Sequence, residues 1–294
     1  MKAMGPGVGA AISHGAVTVV NAIPTGKGAA IGIALWTRAQ VELTETPGSY
    51  ECVIKSDLSE NVTLARSAVE KTLQYLKLEK KYGASVTTES NIPIARGLKS
   101  SSAAANAIVL ATTAALGKKI PKLRIVNLGV DAALDAGVTV TGAFDDACAS
   151  FFGGLIATNN FRRRIVRKTK LRGKVAVLLH VPPHKLYTKD IDLASMRAIA
   201  PLAESAYREA LRGDVWAALT MNGLACSAAL GYDTSIVNEA LKAGALAAGI
   251  SGTGPAVSVL AREEKIESIR KVLESFEGEI IQSEINCKEA KATI

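Results

Sequence analysis

The run from Gly97 through Leu98, Lys99, Ser100, Ser101, Ser102 and three alanines to Asn106 constrains this chain more than any other stretch. A glycine-led turn opens directly into an alanine-rich segment that reads as a helix to about residue 116. A helix start leaves backbone N–H groups without partners, converging on one spot. The helix dipole makes that spot mildly positive and suited to an anion such as a triphosphate. Lys99 adds charge. The hydroxyls of Ser100, Ser101 and Ser102 can cap the helix, bond a phosphate oxygen or ligate Mg²⁺. One cap needs a single serine, and three exceed that need, so the turn is read as a phosphate site. The G-x-x-x-x-G-K-[ST] loop is absent, which excludes that class of nucleotidases. The H-R-D and D-F-G elements of protein kinases are missing too.

Two further segments belong beside it. Asp145 and Asp146 are adjacent in an otherwise uncharged, apolar stretch between Gly142 and Gly154. Burying carboxylates is costly unless they have a partner or a task, so at least one is expected to be catalytic or to face a metal. Gly252, Thr253 and Gly254, followed by Pro255, read as a tight turn between two short strands. Its glycines would let backbone approach a substrate closely, a weaker substrate-side signal.

The rest of the chain frames these segments. It has 294 residues, 48% of them hydrophobic and only 4% aromatic, so Ala, Val, Leu and Ile must fill the core and two lobes are expected. Residues 15–22, 29–44, 50–54 and 83–89 read as strands, and 61–78 and 122–136 as helices. In the second half, strand 175–181, helices 193–212, 215–230 and 235–247, two strands flanking the Gly252 turn, helix 263–276 and strand 279–285 give the split β-α-β plan. The net charge is +8, and eight basic side chains with no acidic one fall in residues 162–174. Such a run could grip nucleic acid or steer an anionic metabolite. Ile165 and Val166 interrupt it and no aromatic stacks within it, so it reads as a solvated hairpin, with no nucleic-acid partner expected. Cys52, Cys148, Cys226 and Cys287 are scattered, and with His14, His180 and His184 they form no zinc pattern. Free thiols suit the cytoplasm. Residues 3–26 are uncharged but broken by Gly, Pro, Ser and Asn, so they read as buried strand and loop rather than a membrane span or signal.

Taken together, these segments resemble the GHMP kinases, the superfamily named for galactokinase, homoserine kinase, mevalonate kinase and phosphomevalonate kinase. Its phosphate motif runs P-x-x-x-G-L-G-S-S-A-A. This chain has Pro93, Ile94, Ala95, Arg96, Gly97, Leu98, Lys99, Ser100, Ser101, Ser102 and Ala103. Lys99 stands where the motif has glycine, a replacement similar to that in the archaeal-type shikimate kinases. The resemblance implies an α+β, two-lobed GHMP kinase fold. Residues 1–160 would form a ribosomal-protein-S5-domain-2-like lobe and residues 161–294 a ferredoxin-like lobe. It implies ATP on residues 93–103, Mg²⁺ on Ser101 and Ser102, and phosphorylation of shikimate to shikimate 3-phosphate. Homoserine or mevalonate is the alternative acceptor, and a non-catalytic nucleic-acid binder the remote one. A soluble monomer or homo-oligomer is left open.

Two positions carry over by register. In galactokinases and mevalonate kinases the catalytic aspartate precedes the last glycine of D-x-x-x-S-x-x-G by seven residues. Counted from Gly153, this gives Asp146, with Ser150 on the family serine. Homoserine kinases have aspartate one position earlier, at Asp145. Asp146 is therefore the expected base and Asp145 the second candidate. The opening motif departs from the family. Pro6-Gly7 matches, but Val8 stands where several relatives have lysine or arginine, and His14-Gly15 replaces a Glu-His pair. The missing cation must come from elsewhere, and Lys27 or Lys99 could supply it, between which the sequence does not choose. Arg66, Arg96 and the basic run are the candidates for an acceptor carboxylate.

Overall fold

The computed structural model describes residues 7–171, 173–187 and 191–293; Pro6 of the opening motif and Arg172 of the basic run lie outside them. In chain order the elements are β1 (Val8–Val20), β2 (Lys27–Thr44), β3 (Tyr50–Ile54), α1 (Thr63–Tyr75), β4 (Gly83–Ser90), α2 (Ser100–Ala115), α3 (Lys122–Asp135), α4 (Phe144–Phe152), β5 (Leu155–Asn159) and β6 (Arg164–Thr169). There follow β7 (Ala176–Val181), α5 (Leu193–Ala198), α6 (Ala200–Arg212), α7 (Val215–Leu230), α8 (Ser235–Lys242), β8 (Ala247–Ile250), β9 (Val257–Ala261), α9 (Ile266–Leu273), β10 (Glu279–Glu284) and β11 (Lys291–Ala292).

The first sheet runs β11-β1-β2-β4-β3, with β5 added to β2 and β6 to β5. Alternate residues of its long strands enter different cores, as the two-residue period of a strand requires. Ala16, Ala30 and Ile156 face a layer of helices α1 to α4. Val17, Ile31 and Ala157 face the second lobe, where they meet Leu179, Tyr207 and Leu260. Burial on both faces explains the long uncharged run at the start of the sequence. Helix α2 packs against both long strands and three helices, and its buried residues are mainly alanine and other small side chains. The backbone approach is close: a Cβ on Gly9 would lie 2.2 Å from the Ala111 carbonyl oxygen.

The second sheet has the order β10-β7-β9-β8, each neighbouring pair antiparallel. This is the ferredoxin-like arrangement expected from the sequence, with extra helices between the first two strands. Three expectations shift. The basic hairpin belongs to the first sheet, so a division at 160/161 cuts through its turn, and the sheet changes only after Thr169. The chain end also returns to the first sheet, as β11 pairs with β1. The expected helix 193–212 is broken at Ile199, because Pro201 cannot donate to a helix continued from α5 but fits the first turn of α6.

Candidate active site

Both aspartates and the serine-bearing helix start open into one cavity of about 580 Å³. The turn before α2 is built from alternating left-handed residues, Ala95 (φ 55°), Gly97 (φ 81°) and Lys99 (φ 66°). Lys99 occupies the N-cap, and the first helical bond runs from the Ala103 N–H to the Lys99 carbonyl. The N–H groups of Ser100, Ser101 and Ser102 thus have no acceptor within the helix. A cap at Lys99 in this conformation costs about 1–2 kcal/mol relative to the right-handed region, whereas glycine would adopt it freely.

The stretch holding the aspartates, left unassigned in the sequence, forms α4, and both acids lie in its first turn. Helices α2 and α4 are tied by the Asn106 side-chain amide, which donates to the Ala147 carbonyl at 2.9 Å. Lys99 Nζ lies 3.2 Å from Asp146 Oδ2, the two side chains being 9% and 16% exposed. The other oxygen, Asp146 Oδ1, is buried and has no hydrogen-bond partner. Burial raises the Asp146 carboxyl while Lys99 pulls it down. Asp145 is pushed up to about 7, first by burial and then by the neighbouring Asp146 charge.

The Gly252 turn forms the opposite wall. Gly252 and Thr253 line the cavity with Thr18, Asn21, Ala22 and Ile23. Thr18 Oγ1 accepts from the Gly252 N–H at 2.8 Å, and Asn21 Nδ2 donates to the Gly252 carbonyl at 2.9 Å. Ser251 Oγ donates to the Gly97 carbonyl at 2.8 Å and accepts from the Thr18 N–H at 3.1 Å, linking this turn to the phosphate turn. The lining also includes the apolar residues Ile54, Leu64, Ala65, Ala133, Val138 and Val140.

Not every expected residue reaches the cavity. Ile94, Ala95, Gly97, Lys99 and Ser100 to Ser102 do; Pro93, Arg96, Leu98, Ala103 and Gly254 are not in its lining. Leu98 and Ala103 are core residues. Arg96 turns outward and donates to the carbonyls of Pro182 and Pro183, and Arg66 is exposed away from the cavity. Neither is therefore placed to meet an acceptor carboxylate there. Three members of the basic run are engaged elsewhere: Arg163 pairs with Asp131, Lys168 with Glu289, and Arg167 donates to the Leu211 carbonyl. Lys27 pairs with Glu204 at 2.8 Å and does not line the cavity. Among the described lining residues Lys99 is the sole cation. Sequence reasoning missed Thr18, Asn21, Gly28 and Asn160, which carry no motif.

The matching family models are the GHMP kinases N terminal domain, over residues 63–154, and the GHMP kinases C terminal, over residues 233–278. The chain belongs to the GHMP kinase family. Within it, the chain is 43% identical to the shikimate kinase of Methanosarcina acetivorans, over 96% of this chain and 95% of that one. It is 40% identical to the shikimate kinase of Pyrococcus furiosus, over 91% and 96% respectively. Among solved structures it is similar to the homoserine kinase of Cytophaga hutchinsonii, with a TM-score of 0.76 at 18% identity, covering 99% of both chains. The Methanococcus jannaschii mevalonate kinase gives a TM-score of 0.74 at 18% identity, covering 94% of this chain and 98% of that one. At that identity the likeness shows the fold alone.

Proposed function

We propose that this chain is a phosphotransferase that moves the terminal phosphoryl group of ATP onto a hydroxyl of shikimate, giving shikimate 3-phosphate. The relatives' shared activity supports the acceptor. The observation that carries the chemistry is the meeting, in one cavity, of the Lys99–Asp146 pair with the serine-bearing start of α2.

The N–H groups of Ser100 to Ser102 and the Lys99 ammonium offer a positive pocket for the triphosphate. The apolar lining residues, among them Leu64, Val138 and Val140, suit the base of the nucleotide. Mg²⁺ favours one or two protein oxygens beside substrate phosphates, and the Ser101 and Ser102 hydroxyls with the unpartnered Asp146 Oδ1 are hard donors of that kind. The two serines would hold it, and when bound it would neutralise charge developing on the phosphates. The Asp146 carboxylate accepts a hydrogen bond from the acceptor hydroxyl and takes its proton late in an in-line transfer, where base strength matters little. Lys99 favours the ionised form of Asp146 against the effect of burial and supplies the cation lacking at Val8. Thr18, Asn21 and Thr253 form the polar wall toward the acceptor. With no arginine among the described lining residues, Lys99 and neutral donors serve the acceptor's carboxylate. Four free cysteines fit work in a reducing cytoplasm, and among the described residues no helix is long and apolar enough to cross a membrane.

ADP release by the purified protein over shikimate, homoserine and mevalonate tests the reading. Release that depends on shikimate is expected; turnover of homoserine or mevalonate without shikimate activity would overturn it.

A further inference from the structure

Lys99 pairs with Asp146, and Asp145 beside it is hydrogen-bonded to a different side chain, Asn160. Asn160 Nδ2 donates to Asp145 Oδ1 at 2.8 Å, while Asn160 Oδ1 accepts from the Asp145 backbone N–H at 3.3 Å. Thr158 Oγ1 donates to the same Asn160 oxygen at 2.6 Å, and the Asn160 N–H is anchored on the Gly26 carbonyl at 2.8 Å. On the other side Asp145 rests on bare backbone. A Cβ on Gly28 would lie 2.1 Å from Asp145 Oδ2 and 2.5 Å from its Cγ. Gly28 is paired with Thr158 across β2 and β5, so one point of the sheet supplies both sides of the grip. Asp145 and Asn160 are each 3% exposed and Thr158 is fully buried.

Helix α4 needs such a grip. It is nine residues long and its N-cap, Ala143, makes no side-chain cap bond. The first turn of an uncapped helix has orphan N–H groups and a poorly fixed direction. The reciprocal pair of bonds from Asn160, one to backbone and one to side chain, does from outside the helix what a capping box does from within.

We propose that Asp145 is a positioning residue, held between Asn160 and the bare Cα of Gly28 so that the first turn of α4 presents the Asp146 carboxylate to the cavity. This rests on the reading of Asp146 as the base. The clamp requires a hydrogen-bonding side chain at 145 rather than a charge. The titratable groups facing Asp145 are Asp146 and Cys148 on its own helix, Lys99 at the start of α2 and Tyr207 from α6. Only one is a cation, and Asp146 is its partner.

The test uses full-length Asp145→Asn, Asp145→Ala, Asn160→Ala, Gly28→Ala and the Asp145→Ala/Asn160→Ala double variant, with Asp146→Asn in parallel. Each is assayed for kcat and KM, and its fold is checked by titration with a fluorescent ATP analogue. Asp145→Asn is expected to keep kcat within about threefold of the parent. Asp145→Ala, Asn160→Ala and Gly28→Ala are expected to lose about 10–100-fold in kcat, the scale of a misplaced catalytic group. The KM for ATP should stay within about twofold, and the double variant should be no slower than the slower single, as for groups acting as one unit. Full turnover by Asp145→Ala would overturn the proposal. So would an Asp145→Asn variant as slow as Asp146→Asn, because Asp145 would then itself take the proton. Full turnover by Asp146→Asn would instead remove the base assignment on which the proposal stands.

Discussion

Lys99 holds a left-handed backbone conformation where glycine would be free of strain, and places its ammonium against Asp146. The strain and the placement belong together, since a glycine would relax the turn but leave the carboxylate without a cation. On the proposed role of Asp146 as base, replacing it with Asn removes the proton acceptor while preserving shape, and kcat is expected to fall by roughly 10²–10⁴, measured by ADP release. Lys99→Met tests the pair from the other side. Lys99 holds the Asp146 carboxyl down against the effect of burial. Without it the carboxyl protonates at higher pH, so the acid limb of the kcat–pH profile should move upward. An unmoved limb would mean that Lys99 does not tune Asp146. The choice between Lys27 and Lys99 could not be read from sequence, because both are lysines near glycines. The tertiary structure favours Lys99, because Glu204 occupies Lys27 from a helix 177 residues away.

At the scale of elements, the turn before α2 is wedged against the Gly252 turn. A Cβ on Gly97 would lie 2.0 Å from the Ser251 carbonyl oxygen, at a φ of 81° that disfavours side chains. Gly97→Ala should destabilise the fold by ~2–4 kcal/mol through strain and overpacking, read from a urea unfolding midpoint, and should weaken ATP binding. A second element responds to pH. His180 on β7 is 4% exposed, and burial holds its pKa below the ordinary value of 6.5. The unfolded chain then binds the proton more readily than the folded one. Its contribution to stability is present above pH 6.5 and is lost as pH falls from there toward the lower folded value. Urea midpoints measured from pH 7.5 to 5 should fall, and less steeply in a His180→Gln variant.

At the scale of the molecule, the two sheets share a hydrophobic cluster in which Val17, Ile31 and Leu155 of the first meet Leu179 and Leu260 of the second. Lobes joined by a common core should unfold together, so calorimetry should give a van't Hoff enthalpy close to the calorimetric one. Two resolved transitions would contradict this. The sequence alone determined what local chemistry can encode: the helix start at Ser100, the acidic pair in an apolar run, and the strand and helix periods of the ferredoxin-like half. It could not mark Asn160 or Gly28, which act only because β2 and β5 pair across a separation of 130 residues. Nor could it show that Arg96 turns to the Pro182 and Pro183 carbonyls, or that the basic hairpin closes the first sheet. Backbone propensity is a property of neighbours along the chain, whereas which polar group faces which is settled by packing, and only the tertiary structure decided that.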